Sequence, residues 1–308
     1  MNLLKDIWFM STGKFGALCL EKLSPHVNFT RIITGLPTRS GRNSKENISE
    51  VESAAIKLNL GGRVTRTGRL TENNELKNSV MPDLIFVIDF GQIIKEPFLN
   101  APKFGCMNIH PSLLPKFRGA APIQRALMSG KNITGVSVFK LVKTMDAGEI
   151  YDQAEIKIDP DDSAESLYEK SAALGCEMAV KVLNSLPNIK TSPQNDDKAT
   201  YADKILKSEH ELNFAMTAEN FCNHVRALNM SGGAYIILKN NKRLKIWRAR
   251  IHDDDGEQGK LIKICDNNPV IACSSKSIEL VEIQPEGKKK ITGQEWLNGA
   301  RIKTGCII

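Results

Sequence analysis

The sequence lacks the patterns of a disulfide-bonded or metal-stabilised protein. Its seven cysteines are odd in number and widely scattered, and they form neither a Cys-x-x-Cys pair nor a Cys/His cluster with zinc spacing. Small buried thiols in a reducing compartment account for such cysteines. We therefore expect neither a disulfide framework nor a bound metal.

Long hydrophobic runs are also missing. No apolar stretch reaches transmembrane length, and Lys5 and Asp6 interrupt the N-terminal segment, which argues against a secretory signal. At 308 residues, 41% hydrophobic and 25% charged, the chain has a globular composition and suits two domains. We expect a cytoplasmic protein without a membrane partner. Its net charge of +7 favours polyanionic partners.

Cofactor and hydrolase signatures are absent as well. The segment Ser11-Thr12-Gly13-Lys14-Phe15-Gly16 follows the first apolar run but contains neither the dinucleotide fingerprint nor a P-loop, so NAD and ATP are not indicated. The segment 135–139 contains Ser137 but lacks the second glycine of a nucleophile elbow.

The first part of the chain alternates short apolar runs with amphipathic segments, as in α/β proteins. This pattern predicts a Rossmann-like domain with a parallel sheet over residues 1–189. The predicted strands are 7–10, 29–34, 83–88, 105–110 and 135–142, and the predicted helices are 15–23, 49–58, 123–129 and 163–186. In such folds, ligands bind where the strands end at their carboxyl edge.

Residues 190–209 carry proline, asparagine and aspartate with little periodicity, which predicts a linker. Residues 210–308 then show several short strand patterns separated by turn residues, which predict a small OB-like β-barrel domain.

A long loop at 35–49 is also unusual, because it carries Arg39, Arg42 and Lys45 among small polar residues. Such a loop is either a solvated connection or a nucleic-acid contact.

The residues best suited to catalysis are Asn108, His110 and Asp146. Asn108 and His110 alternate along one predicted strand, so their side chains share a face. Asp146 lies in a second short loop and can orient an imidazole, while an amide and a protonated imidazole can stabilise an oxyanion. Two alternatives use the same strand: a Ser112-His110-Asp146 hydrolase or a Cys106-His110 thiol enzyme.

The segment Asn108-Ile109-His110-Pro111-Ser112-Leu113-Leu114-Pro115, with Arg118-Gly119-Ala120-Ala121-Pro122-Ile123-Gln124 and Met145-Asp146-Ala147-Gly148, resembles the methionyl-tRNA formyltransferase family. Thr200-Tyr201-Ala202-Asp203-Lys204 and Gln284-Pro285-Glu286-Gly287 extend the resemblance over nearly the whole chain. It implies transfer of a formyl group from 10-formyltetrahydrofolate to the α-amino group of initiator methionyl-tRNA, by a monomer that needs neither metal nor NAD.

The resemblance also implies roles for particular residues. Asn108, His110 and Asp146 would form the catalytic trio, and the basic residues Arg39, Arg42 and Lys45 would contact tRNA. The folate-contacting residues would be Ser112, Leu113, Leu114 and Pro115 in the turn, with Phe90 and Gly91 beside the pteridine. The turn is also tight enough for a cis Leu114-Pro115 bond.

The chain departs from the family pattern at two places. Ser11-Thr12-Gly13-Lys14-Phe15 stands where the family has Gly-Thr-Pro-x-Phe, and Asn229-Met230-Ser231-Gly232 stands where it has Asn-Pro-Trp-Pro. Neither departure touches the trio. The shorter motif also fits a 10-formyltetrahydrofolate hydrolase or another folate-dependent formyltransferase, and a non-enzymatic RNA-binding protein is a further alternative.

Overall fold

The computed structural model describes residues 4–40 and 45–308. The chain forms two compact units. The first comprises the described residues up to Gly119, with Ile133–Lys157 and Tyr168–Tyr201, and the second comprises Ala120–Asn132, Ile158–Leu167 and Ala202–Ile308. The segment 190–209 is therefore divided, with residues 190–201 in the first unit and residues 202–209 in the second.

The helices and strands of the described residues are named in chain order. They are β1 (Ile7–Met10), α1 (Lys14–Leu23), β2 (Phe29–Gly35), β3 (Thr38–Ser40), β4 (Lys45–Asn47), α2 (Glu50–Lys57), β5 (Val64–Thr67), α3 (Asn74–Asn78), β6 (Leu84–Val87), β7 (Cys106–His110), α4 (Pro122–Met128), β8 (Ile133–Lys140), β9 (Ile150–Lys157), α5 (Ala164–Ser185), α6 (Ala218–Leu228), β10 (Ala234–Ile237), β11 (Arg243–His252), β12 (Leu261–Cys265), β13 (Asn268–Ala272), β14 (Ser277–Pro285), β15 (Ile291–Thr292) and α7 (Gly293–Ala300).

A seven-stranded sheet organises the first unit, in the order β5-β2-β1-β6-β7-β8-β9. The pairs from β5 to β7 are parallel, as predicted, whereas β8 runs antiparallel to β7 and β9 antiparallel to β8. The predicted parallel sheet is therefore confirmed from β5 to β7. The predicted strand 135–142 corresponds to β8 and runs antiparallel, and β9 was not predicted. The α/β fold class is confirmed.

The central strands β6 and β7 determine where the candidate site lies in the sheet. All four residues of β6 are buried, which explains their unbroken apolar run, and β7 pairs with β6 in parallel. The segments that follow these two strands therefore begin at the same edge of the sheet. Phe90 and Gly91 follow β6, and the Pro111 turn follows β7.

The start of α1 explains one departure from the family pattern. The Asp89 carboxylate accepts hydrogen bonds from the backbone N–H groups of Phe15 and Gly16. A Cβ atom at Gly13 would lie 2.0 Å from Asp89 Oδ2, so a proline at that position would collide with the carboxylate. Dinucleotide-binding folds hold a phosphate at this helix terminus, and here a carboxylate occupies it.

The second unit contains a six-stranded antiparallel sheet, in which five strands run in the order β10-β11-β14-β13-β12 and β15 pairs with β14. This confirms the predicted small β domain. Phe221, Val225 and Leu228 of α6 pack against the apolar face of this sheet. Within the described residues, no helix has the length and apolar character needed to cross a membrane.

Candidate active site

Strand β7 presents the two predicted polar residues on one face. Asn108 is opposite Phe139 on β8, and His110 is opposite Ser137. His110 is buried, and its ring meets the Phe139 ring edge to face, with centroids 6.4 Å apart. Asn108 retains partial solvent contact. The face therefore offers an accessible amide beside an imidazole whose orientation is fixed by packing.

A backbone carbonyl fixes the tautomer of His110. Its Nε2 atom lies 2.9 Å from the carbonyl oxygen of Phe117. Phe117 has a φ of +57°, a left-handed conformation that is uncommon for a bulky residue. A carbonyl oxygen can only accept, so Nε2 carries a proton and donates it. Nδ1 is consequently the nitrogen that faces the remaining functional group.

That group is the Asp146 carboxylate, which the fold brings to His110 from 36 residues further along the sequence. Asp146 Oδ2 lies 3.7 Å from His110 Nδ1 and accepts a hydrogen bond from the Gly119 N–H at 2.8 Å. The side chains of His110 and Asp146 are 6% and 12% exposed, so their charges are little screened by water. The pair therefore places an imidazole nitrogen and a carboxylate oxygen side by side in one buried site.

Ser137 holds the turn that follows β7. Its Oγ atom donates to the Ser112 carbonyl at 2.6 Å and accepts from the Leu114 N–H at 3.1 Å and from Gln153 Nε2 at 2.7 Å. The Leu114-Pro115 bond is cis, as the tight turn suggested. Ser137 is thus a buried structural hydroxyl, in agreement with the absence of a nucleophile elbow around it.

The residues predicted to contact folate have different environments. The Ser112 hydroxyl is buried and donates to the Lys116 carbonyl at 2.7 Å, so it stabilises the turn from inside. The Leu113 side chain packs over Gly135, where a Cβ atom would lie 2.3 Å from Leu113 Cδ2. Phe90 belongs to a core cluster, whereas Gly91 is exposed with a φ of +71°.

The structure does not favour the two alternative nucleophiles. Cys106 is fully buried, its thiol donates to the Phe98 carbonyl, and burial raises its pKa to about 12. A thiol with that pKa is almost entirely protonated at neutral pH and is a poor nucleophile. The hydroxyl of Ser112 already donates to the Lys116 carbonyl.

The predicted basic loop folds as a hairpin. Strands β3 and β4 pair antiparallel, with Arg39 opposite Glu46 and Ser40 opposite Lys45. Arg42 lies outside the described residues. The hairpin was not predicted, because its strands are only three residues long and carry no apolar alternation.

Sequence reasoning missed the residues that support the site from the segment 190–201. Gln194 donates to the carbonyl groups of Asp146 and Gly148, and Thr200 Oγ1 accepts from the Phe117 N–H at 2.9 Å. The buried Arg118, quoted above only as part of a motif, donates to Gln194 and Asp196. Polar hydrogen bonds between distant segments leave no periodic signal in a sequence.

Comparisons with known proteins assign the chain to a family. A formyl transferase family model matches residues 9–183, and a model of the formyl transferase C-terminal domain matches residues 204–301. Methionyl-tRNA formyltransferase from Caldicellulosiruptor saccharolyticus is 35% identical over 312 residues, which covers 98% of this chain and 99% of the relative. The chain belongs to the methionyl-tRNA formyltransferase family. The resemblance inferred from the sequence is thereby confirmed.

Solved structures of formyltransferases share the fold. An N-formyltransferase from Helicobacter canadensis, in complex with folinic acid and dTDP-3-aminofucose, has a TM-score of 0.62 and 18% identity, covering 91% of this chain and 98% of that one. Methionyl-tRNA formyltransferase from Clostridium thermocellum has a TM-score of 0.56 and 18% identity, covering 82% of this chain and 96% of that one. At this identity the two structures support the architecture.

Proposed function

We propose that this enzyme transfers the formyl group of 10-formyltetrahydrofolate to the free α-amino group of initiator methionyl-tRNA. The observation that carries the proposal is the His110–Asp146 pair beside Asn108, in a chain whose curated relatives have this activity by name. The same relatives favour this reaction over hydrolysis of the folate donor, since they match nearly the full length of the chain, including the second unit.

The reaction requires stabilisation of one developing negative charge. The amine nitrogen attacks the formyl carbon, a C–N bond forms, and the former carbonyl oxygen becomes an oxyanion. Asn108 donates an amide hydrogen bond to that oxygen. His110 acts in its protonated form and donates through Nδ1, since its Nε2 proton is committed to Phe117. Asp146 Oδ2 lies 3.7 Å from Nδ1, which is longer than a hydrogen bond, so the Nδ1 proton is available to the oxyanion.

Proton transfer completes the reaction. The attacking amine becomes cationic and releases a proton, which Asp146 accepts directly or through water and delivers to N10 of the folate. The bond between the formyl carbon and N10 then breaks, which gives N-formylmethionyl-tRNA and tetrahydrofolate. The exposed backbone at Gly91 and the turn from Ser112 to Pro115 would border the folate. Phe90 would support that pocket from the core, where its side chain lies.

Two basic features would bind tRNA. The first is the basic segment 35–49, which carries Arg39, Arg42 and Lys45. The second is a groove of about 820 Å³ in the second unit, lined by six cationic side chains and by Glu286 and Glu295. The six cations, named here the groove cations, are Lys239, Lys242, Arg243, Lys288, Lys289 and Arg301, and all are exposed. Exposed cations attract phosphate with little sequence preference and strong salt dependence.

These assignments give each part of the chain a different role. Residues 1–189 would carry formyl transfer, residues 190–209 would connect, and residues 210–308 would add tRNA affinity. A cytoplasmic monomer fits an enzyme that formylates one charged tRNA at a time for translation initiation.

The deciding experiment offers 10-formyltetrahydrofolate together with charged initiator or elongator tRNA and follows formylation of the amino group. We expect rapid formylation of initiator methionyl-tRNA, and a drop of more than about tenfold in the single-turnover rate for each of Asn108→Ala, His110→Ala and Asp146→Ala. Formate release from the donor alone, at a rate unaffected by tRNA, would instead identify a hydrolase.

A separate binding measurement tests the basic segment. Arg42→Ala should weaken tRNA binding and leave folate binding unchanged, because an arginine proposed to contact tRNA contributes phosphate attraction. Equal losses for both substrates would contradict the assignment.

A further inference from the structure

The loop that carries Asp146 has an unfavourable backbone conformation. Asp146 has a φ of +51°, and a residue other than glycine keeps such a conformation only where its surroundings fix it. Two residues later, Gly148 passes so close to β8 that a Cβ atom would lie 1.7 Å from the Lys140 carbonyl oxygen. The position of the carboxylate therefore depends on the contacts that hold this loop.

Gln194 provides the two contacts to the loop carbonyls. Its Nε2 atom donates to the carbonyl oxygen of Asp146 at 2.8 Å and to that of Gly148 at 2.7 Å. One amide group thus spans the turn on both sides of Ala147. A single side chain uses both of its N–H donors to hold the backbone that aims Asp146 at His110.

Arg118 fixes which way the Gln194 amide faces. The guanidinium donates from Nε at 3.0 Å and from Nη2 at 2.7 Å to Gln194 Oε1. Arg118 is 3% exposed, and its Nη2 also meets Asp196 Oδ1 at 2.7 Å. A guanidinium can only donate, so the amide oxygen must face Arg118 and the amide nitrogen must face the loop.

We infer that Gln194 is a positioning residue of the catalytic centre, which holds the Asp146 carboxylate at His110 while Arg118 orients its amide. The inference rests on the proposed role of Asp146. It gives the segment 190–201 a function that its composition does not indicate, because Gln194 contacts the loop through side-chain hydrogen bonds.

Two substitutions test the N–H donors of Gln194 separately from the oxygen that accepts from Arg118. Gln194→Ala removes the side chain, whereas Gln194→Glu keeps an oxygen for Arg118 but turns an acceptor toward the two loop carbonyls. We expect both variants to lower kcat by about tenfold, since small displacements of a catalytic group are costly, and to change the KM of each substrate less than about twofold. Thr191→Val is the matched control, because it removes a hydrogen bond from the same segment to the neighbouring Glu149.

A double variant gives the readout that a general structural role would not produce. In an Asp146→Asn background, Gln194→Ala should lower kcat by less than about twofold, because the group being positioned is already inactive. Thermal denaturation of each variant reports whether the fold is kept, and Gln194→Glu provides the test if Gln194→Ala does not fold.

The results distinguish the possible failures. Full activity of Gln194→Glu would overturn the positioning role. The role would also be overturned if Gln194→Ala lowered kcat tenfold in the Asp146→Asn background as well as in the wild type. Inactivity of the wild-type enzyme toward methionyl-tRNA would overturn the proposed function instead, and an active wild type with an active Asp146→Asn variant would overturn the role of Asp146.

Discussion

Two loops of the first unit carry an aspartate in the same backbone conformation and use it differently. Asp89 and Asp146 have φ values of +50° and +51°. The Asp89 carboxylate accepts from backbone N–H groups of α1, whereas Asp146 meets the Gly119 N–H and also His110 Nδ1. An N–H group of the backbone fixes a carboxylate but cannot exchange its proton in catalysis. The imidazole neighbour is what makes Asp146 suited to proton transfer.

The surroundings of the two carboxylates also differ. Asp146 is buried, whereas Asp89 reaches solvent. Crowding by neighbouring protein nevertheless raises the pKa of Asp89 to about 6, against the opposing effect of its two backbone hydrogen bonds. This combination indicates a carboxylate in a concave part of the surface. The comparison predicts that one aspartate matters for the rate and the other for stability.

Among these predictions, substitution of Asp146 should have the largest effect on the formylation rate. Asp146→Asn keeps the shape and an acceptor for Gly119 but cannot carry the proton, so the single-turnover rate should fall about 100-fold or more. The midpoint of thermal unfolding should change little. Rapid-quench formylation assays and thermal melts measure the two quantities, and a variant that retains most of the wild-type rate would remove the distinction between the two loops.

A smaller effect, on the KM for tRNA, is expected from the groove cations, which lie outside both loops. Neutralising three groove cations as Lys242→Gln, Lys288→Gln and Lys289→Gln should raise the KM for tRNA about tenfold and flatten its salt dependence, with kcat and the folate KM unchanged. The matched control neutralises Lys260, Lys263 and Lys276, which are ion-paired with carboxylates in the same unit. If both triple variants raise the KM equally, net charge alone explains the affinity and the groove has no special role.

Asp89 should affect stability in a pH-dependent way. Its folded-state pKa of about 6 lies above its ordinary value of 3.8, so folding favours the protonated form. The resulting stabilisation is complete below the ordinary pKa and is lost as pH rises through about 6. Because the group contacts solvent, we expect a change of about 1 kcal/mol. Urea unfolding from pH 4 to pH 8 should show this loss in the wild type and not in Asp89→Asn; parallel curves would contradict it.

The sequence predicted the parts of this site that depend on periodicity. Buried strands such as β6 give apolar runs, and β7 alternates Asn108 and His110 on one face. Strand β9 was missed because most of its residues remain partly or fully exposed at the sheet edge, which leaves no apolar run to detect. Gln194 could not be found for a related reason. Its role depends on a fold that brings residues 46 and 48 positions apart into hydrogen-bond contact.

Substitution of Cys106 should have the smallest effect on the formylation rate. It extends the comparison to two residues of one strand, Cys106 and His110. Cys106 and His110 share a face of β7, yet the thiol is held by the Phe98 carbonyl and burial raises its pKa to about 12. The thiolate needed for nucleophilic attack is almost absent at neutral pH, so Cys106→Ala should change the formylation rate less than about twofold. It should destabilise the fold by about 1 kcal/mol through the small cavity that it leaves. A rate loss comparable to that of His110→Ala, with the fold intact by thermal melting, would place the thiol in the reaction and reverse the order of importance along β7.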